Sequence, residues 1–202
     1  MCAVLEGLLK KLLESPGNCT PSTLLTISSA VDLLTDLCKP EVKADLTLNP
    51  PFQMLVVDDD PVARRAMTCA LQMAFEKPVS VDSGTAALSS AKERAFDAIF
   101  LDVQMPDTDG FTVCLRIHET APNRNTPVVF VTGHSDFKAR SQATVSGGSD
   151  LIAKPFLTAE VTVKALTLTL RGRLRKQKIA QNELQVGIES NPGRERLAVA
   201  TS

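Results

Sequence analysis

The chain has 202 residues, of which 44% are hydrophobic and 22% charged, and its formal net charge is −1. These values predict a globular protein with one domain plus extensions, or two small domains, and no global field that favours nucleic acid or a membrane surface. No apolar stretch reaches the roughly 20 residues that cross a bilayer. The 5 cysteines are widely spaced without a C-x-x-C motif, which favours reduced thiols in a cytosolic protein over disulfides.

The first 39 residues are predicted to form a helical hairpin. Leucines at helical spacing mark one helix over residues 3–14, and a second apolar series runs from about residue 20 to residue 39. Lys10 and Lys11 lie inside the first apolar stretch rather than before it, which argues against a signal peptide and for a cytoplasmic location. Because so small a hairpin cannot hold a core alone, we expect it to pack on the main domain, on a second copy in a homodimer, or on a partner protein.

Residues 40–51, with proline at both ends and little periodicity, are predicted to be a linker. From residue 52 to residue 178 short apolar runs alternate with helical patterns, which predicts an α/β domain with a doubly wound, five-stranded parallel sheet. Residues 179–202 are predicted to hold the end of the last helix and a disordered tail. The predicted strands are 53–57, 78–82, 97–101, 127–131 and 149–153, and the predicted helices of this domain are 61–75, 84–94, 110–119, 135–145 and 157–178.

Polar side chains directly follow four of the predicted strands. Asp58 and Asp59 follow the first, Asp102 the third, Thr132 the fourth and Lys154 the fifth. In an open parallel sheet, function collects at the carboxyl ends of the strands, so these groups are expected at one edge. Carboxylate oxygens suit Mg²⁺, and a hydroxyl and an ammonium suit phosphoryl oxygens. The pattern therefore predicts a site for a divalent cation and a phosphoryl group, with Asp102 as a candidate nucleophile.

Several acidic and strand-end residues also have a purely structural interpretation. Asp60, which precedes a proline, is predicted to cap the next helix. Asp107 and Asp109 are predicted to serve the turn and the cap of the following helix. Asp102 taken alone could be a turn residue, and Thr132 a β-branched strand residue.

Short motifs surround these strand-end residues. They are the pair Asp58-Asp59, Asp102 followed by Met105-Pro106 and Asp109-Gly110, Thr132, and Lys154-Pro155-Phe156. The Lys154-Pro155 bond could be cis, which would aim the lysine in a tight turn. Over residues 53–175 these motifs resemble the receiver domain of two-component response regulators, in its chemotaxis-receiver-like form. This resemblance implies a flavodoxin-like sheet with strand order 2-1-3-4-5.

The resemblance implies a phosphoacceptor rather than a turnover enzyme. Asp102 would take a phosphoryl group from a phosphohistidine of a sensor histidine kinase or phosphotransfer protein, and would lose it slowly by autodephosphorylation. Asp59 would bind Mg²⁺ directly, Asp58 through water and Gln104 through its backbone carbonyl. The implied catalytic residues are Asp102, Thr132 and Lys154, and the implied metal ligands are Asp58, Asp59, Asp102 and Gln104.

The same resemblance implies an output, namely a contact with a downstream protein that is switched near the fourth helix, fifth strand and fifth helix of the domain. Receivers often have Tyr or Phe three residues before the lysine, where this chain has Leu151, which leaves the usual threonine–aromatic coupling open. No DNA-binding output domain is expected after residue 178. The basic cluster over residues 171–178 is predicted to be a solvated helix end rather than a nucleic-acid site.

Two other classes of function stay open. One is a phosphatase or phosphotransferase with an aspartyl-phosphate intermediate, against which Gln104 argues because such enzymes commonly have an acid there. The other is an interaction domain that has lost phosphorylation, against which the retained Asp59, Asp102, Thr132 and Lys154 argue.

Overall fold

The computed structural model describes residues 1–40, 42, 51–106, 108–133 and 137–189. Two short 3₁₀ turns, Pro16–Asn18 and Ala121–Asn123, join helices and strands. The helices are α1 (Cys2–Glu14), α2 (Pro21–Leu37), α3 (Pro61–Leu71), α4 (Gly84–Glu93), α5 (Gly110–His118), α6 (Phe137–Val145) and α7 (Thr158–Glu189). The strands are β1 (Met54–Val57), β2 (Val79–Val81), β3 (Ala98–Asp102), β4 (Val128–Thr132) and β5 (Asp150–Ala153).

The five strands form one parallel sheet in the order β2-β1-β3-β4-β5, which confirms the predicted α/β fold and strand order. Every residue of β1, β3 and β4 is buried, as expected for strands covered on both faces. Alternate side chains enter two cores: Leu55 and Val57 face α4 and α5, whereas Met54 and Val56 face α3 and α7. The sheet is therefore the middle layer of three.

Some predicted boundaries were wrong by a few residues. Helix α3 ends at Leu71 rather than at residue 75, and Phe75 beyond it packs edge-on against Phe52 with ring centroids 5.6 Å apart. Strands β3 and β4 each extend one residue further than predicted and include Asp102 and Thr132. Both polar groups are therefore held by the sheet ladder rather than by a loop.

Helices α1 and α2 pack on α7, so the structure realises the first of the three arrangements expected for the hairpin. Leu5 and Leu8 of α1, Ala30 of α2, and Ala159 and Val163 of α7 form one buried apolar cluster. Helix α2 starts at a capping box in which the side chains of residues 20 and 23 exchange hydrogen bonds with each other's backbone amides.

Helix α7 continues to Glu189, so the predicted boundary at residue 178 falls inside it. Two of the cations predicted to be solvated contact other parts of the protein: Arg171 Nη2 donates to the carbonyl of Ser29 at 2.9 Å, and the Arg173 guanidinium lies 3.6 Å from the ring centroid of Phe52. The predicted linker and tail lie mostly outside the described residues. Within the described ranges, no helix combines the length and apolar character that a bilayer crossing needs.

Candidate functional site

The three consecutive aspartates after β1 have two different roles. Asp60 caps α3, because its carboxylate accepts from the amides of Val62 at 2.9 Å and Ala63 at 3.3 Å. Asp58 is only 4% exposed and accepts from the Asp60 amide at 3.0 Å. Asp59 lies beside it and is exposed. The cap predicted for Asp60 is confirmed, and Asp58 and Asp59 have their carboxylates at the sheet edge.

Asp102 is the last residue of β3 and is 6% exposed. The loop that follows turns back sharply, and the Gly110 amide donates to the carbonyl of Val103 at 2.9 Å. A Cβ atom at Gly110 would lie 2.2 Å from the Asp102 carbonyl oxygen, so only glycine lets α5 begin there. Asp109 caps α5 by accepting from the Thr112 amide at 3.0 Å, as predicted, whereas Asp107 lies outside the described residues.

Lys154 joins the two buried carboxylates. Its Nζ lies 2.8 Å from Asp58 Oδ2 and 3.1 Å from Asp102 Oδ2. The peptide between Lys154 and Pro155 is cis, the isomer that a proline at this position makes possible. The Lys154 amide donates to the Thr132 carbonyl at 2.7 Å, so the end of β5 is tied to the end of β4.

Thr132 is 1% exposed and ends β4 at the same edge. In the register of the sheet Asp102 pairs with Val131, so Thr132 lies one residue beyond Asp102 on the neighbouring strand. The structure thus brings the four strand ends together at one edge.

The three carboxylates form a cluster that fits a divalent cation. Asp58, Asp59 and Asp102 each offer an oxygen, and these atoms lie within 4.8 Å of one another. Two of the three are buried, and one nearby ammonium compensates only part of their charge. Hard oxygen donors and surplus negative charge suit Mg²⁺, which binds few carboxylates and keeps several waters.

Burial and charge set the protonation behaviour of the site. Burial raises the pKa of Asp102, and the repulsion of Asp58 adds to it, while Lys154 opposes the rise. Burial alone would lower the pKa of Lys154, but the hydrogen bond and charge of Asp58 and the charge of Asp102 outweigh it, so that pKa is raised. Lys154 is therefore a fixed cation at neutral pH.

Arg64 is a site neighbour that the sequence analysis missed. Its Nη1 donates to the Asp58 carbonyl at 2.6 Å and to the Asp59 carbonyl at 3.3 Å. It lies in the first turn of α3, where side chains lean back toward the helix start. An arginine in the first turn of a helix that follows two aspartates can therefore reach back to them, and this is the sequence signal that could have identified Arg64.

A cleft of about 510 Å³ opens beside the carboxylates. Asp59 and Gln104 line it on the polar side, and Met105, Pro106 and Phe111 form an apolar wall. Gln104 is exposed here. The cleft therefore gives an incoming group access to the edge of the acidic cluster.

Comparisons with known proteins identify the family of the chain. The family model of the response regulator receiver domain matches residues 54–166. The signal transduction histidine-protein kinase BarA of Shigella flexneri is 32% identical over 135 residues, which cover 65% of this chain and 15% of that protein. The transcriptional regulatory protein ResD of Bacillus subtilis is 33% identical over 119 residues, which cover 59% of this chain and 48% of that protein. The chain thus spans less than half the length of either relative.

Solved structures show the same fold. The chemotaxis protein CheY4 of Vibrio cholerae matches with a TM-score of 0.54 at 27% identity, over 57% of this chain and 96% of that one. The receiver domain of the sensor histidine kinase PA1611 of Pseudomonas aeruginosa, which holds a magnesium ion in its active site cleft, matches with a TM-score of 0.55 at 26% identity, over 59% of this chain and 98% of that one. The family match covers more than half of the chain and spans all the residues of the acidic site, so this protein belongs to the response regulator receiver domain family of two-component signalling proteins.

Proposed function

We propose that the chain is a phosphoacceptor in a two-component phosphorelay. Asp102 receives a phosphoryl group from a phosphohistidine of a sensor histidine kinase or phosphotransfer protein, and the phosphorylated chain changes a contact with a downstream protein. The observation that supports this most is the position of Asp102, buried beside Asp58 and Asp59 and 3.1 Å from the Lys154 ammonium.

Asp58, Asp59 and Asp102, with the backbone carbonyl of Gln104, would hold Mg²⁺. The ion would supply positive charge to the transferring group and to the nucleophile. The fit rests on the oxygen donors of the carboxylate cluster and on the opening of the cleft at Asp59 and Gln104. The magnesium-bound receiver of PA1611 supports it.

The chemical step is a transfer between two nucleophiles. A carboxylate oxygen of Asp102 attacks the phosphorus, the P–N bond of the phosphohistidine breaks, and its electron pair leaves with the imidazole. Lys154 neutralises charge on the phosphoryl oxygens, and the Thr132 hydroxyl donates to one of them. Loss of the group requires water to attack the acyl phosphate, which regenerates the Asp102 carboxylate and inorganic phosphate.

We infer a signalling module rather than a turnover enzyme. Gln104 stands where enzymes with an aspartyl-phosphate intermediate commonly have a second acid, so the chain lacks that base for rapid hydrolysis. The receiver domain of DrrB, described as BeF₃-activated, is 28% identical and supports a state controlled by the phosphoryl group. The 5 cysteines are all free, which supports a reducing, cytoplasmic location.

The test is incubation of the full chain with acetyl phosphate and Mg²⁺, followed by intact-mass measurement. We expect one phosphoryl adduct on the wild type. No adduct should form when a chelator is added before the donor, and none should form on Asp102→Asn. Asp97→Asn is the matched control, because Asp97 precedes the same strand and binds the Gln53 amide at the opposite end, 2.9 Å away. An adduct on Asp102→Asn, or none on the wild type, would overturn the proposal.

A further inference from the structure

Helix α2 covers the outer edge of β5, which is an end strand of the sheet. Ser22, 2% exposed, is the point of contact. Its Oγ lies 2.9 Å from the backbone carbonyl of Leu151 and 2.5 Å from Oε1 of Glu160 on α7. The single proton of this hydroxyl is shared between the two acceptors, so one side chain joins α2 to both the strand and the last helix.

The interface of α2 has a polar half and an apolar half. Near its start, the inward side chains of Ser22, Thr23 and Thr26 are at most 2% exposed. Ser22 bonds Glu160, and Thr26 lines a small cavity together with Lys164. Buried polar and ionic contacts contribute little net stability, because desolvation offsets their attraction. The first two turns of α2 are therefore held more weakly than its second half.

The second half packs through apolar side chains. Ala30 lies in a cluster with Val163, and Leu33 in a cluster with Leu170 and Leu174. Apolar burial is non-directional and tolerates small shifts of the helices. This half can stay attached while the first two turns move.

Strand β5 links Ser22 to the acidic site. Leu151, whose carbonyl binds Ser22, lies in β5 three residues before Lys154, which directly follows the strand. Lys154 in turn binds Asp58 and Asp102. The side chain of Leu151 is buried and aliphatic, so it offers neither an aromatic ring nor a hydroxyl. At this position the chain presents a backbone carbonyl to α2, so a coupling route exists that needs no aromatic side chain.

We propose that α2 is an intramolecular ligand of the β5 edge, and that its first two turns leave β5 when Asp102 is phosphorylated. This inference rests on the proposed phosphoacceptor function. When Lys154 exchanges its carboxylate partners for phosphoryl oxygens, the end of β5 follows it. The Ser22 hydrogen bonds depend on distance and angle, so a shift of β5 weakens them. Release of the helix start lets water reach Glu160 and exposes the β5 edge to a partner protein.

The test is amide hydrogen exchange by mass spectrometry on the full chain, with intact mass measured on the same samples. Coupling between two sites commonly amounts to about 5- to 150-fold, so we expect at least about fivefold faster exchange over residues 22–28 in the phosphorylated chain. Residues 30–37 should change less, and Asp102→Asn should show no change. An adduct without faster exchange over residues 22–28 overturns this inference and leaves the phosphoacceptor function intact. Absence of an adduct overturns both.

A second arm tests the anchor without phosphorylation. Ser22→Ala should speed exchange over residues 22–28 in the untreated chain, whereas Ser28→Ala, at an exposed position of the same helix, should not. Exchange in β1 and β3 reports whether the domain stays folded in each variant. Equal exchange over residues 22–28 in the two variants would overturn the role of Ser22.

Discussion

The Lys154 ammonium lies 2.8 Å from Asp58, closer than the 3.1 Å that separates it from the proposed phosphoacceptor Asp102. Asp58 therefore holds the cation in place while Asp102 shares it. Because one ammonium compensates two buried carboxylates, the site keeps surplus negative charge in the absence of a metal. The pKa of Asp102 is raised, first by burial and then by the negative charge of Asp58, as expected where negative charge is in excess.

Lys154→Gln is expected to destabilise the fold at neutral pH by about 3 kcal/mol, the usual cost of removing one partner of a buried ion pair. The folded-state pKa of Asp102 lies above its unfolded value of about 3.9, so protonation of Asp102 on acidification relieves part of the repulsion. The defect should therefore shrink as pH falls through the folded-state pKa, and Mg²⁺ should reduce it at neutral pH. Urea denaturation across pH, with and without Mg²⁺, measures this.

Lys77→Gln is the control for lost positive charge, because Lys77 is exposed. It should change the free energy of unfolding by less than about 0.5 kcal/mol. A Lys154→Gln variant as stable as the wild type at neutral pH would show that the ion pair does not compensate the buried carboxylates.

Asp59→Asn is expected to weaken Mg²⁺ binding at least about tenfold, since even indirect partners of a metal are worth about 10- to 100-fold in affinity. Asp60→Asn should bind Mg²⁺ nearly as the wild type does, because Asp60 is committed to the helix cap and asparagine also caps well. The chain contains no Trp or Tyr, so titration calorimetry is a better measurement than intrinsic fluorescence. Equal affinities for the two variants would remove Asp59 from the proposed ligand set.

Glu160→Gln is expected to stabilise the chain at neutral pH by about 1 kcal/mol. Burial raises the pKa of Glu160, and the nearby Asp150 adds to the rise, while the Ser22 hydrogen bond and the charge of Lys164 oppose it. Because the pKa of Glu160 is raised in the folded state, protonation of Glu160 contributes to the free energy of unfolding. This contribution is complete below the unfolded-state pKa of about 4.3 and is lost as pH rises through the folded-state pKa. Glutamine keeps the neutral form at every pH.

Urea denaturation of the Glu160→Gln variant and the wild type should therefore converge near pH 4 and separate above it. Glu76→Gln, at an exposed position, controls for lost charge and should track the wild type throughout. A Glu160→Gln variant that is less stable than the wild type at neutral pH would mean that the carboxylate, held by Lys164 and Ser22, is the form the fold prefers.

The sheet and the acidic edge could be predicted from sequence because both follow from short-range rules. Buried parallel strands appear as continuous apolar runs, and their carboxyl ends share one edge, so Asp58, Asp102 and Lys154 could be placed together before any coordinates. The caps formed by Asp60 and Asp109 could also be predicted, because a cap depends on the residues of one turn.

The packing of α2 could not be predicted in the same way. Amphipathic spacing identifies the face that a helix buries but not the element that covers it, so three arrangements stayed open. The contact that joins the start of α2 to β5, from Ser22 to Leu151, connects residues 129 apart in the chain and involves a backbone carbonyl that any residue would offer. Arg64 was missed for a related reason, because it binds the carbonyls rather than the carboxylates of its acidic neighbours.

The cysteines provide a direct test of the core. Cys114 is buried, its Sγ donates to the Ser146 carbonyl at 3.2 Å, and burial raises the pKa of its thiol to about 12. Because the thiolate is the reactive form, Cys114 should not react with a disulfide reagent in the native chain. The exposed thiols, which should react, are Cys2, Cys19, Cys38 and Cys69.

Titration with the disulfide reagent should therefore detect 4 rapidly reacting thiols in the native chain and a fifth only after unfolding in urea. Cys114→Ala should give 4 thiols in both states, which identifies the protected group. The rate at which the fifth thiol of the wild type reacts under native conditions reports how often the face between α5 and α6 opens, because Cys114 binds the turn that follows α6. Fast reaction of all 5 thiols in the native chain would contradict the packing of α5 on the sheet.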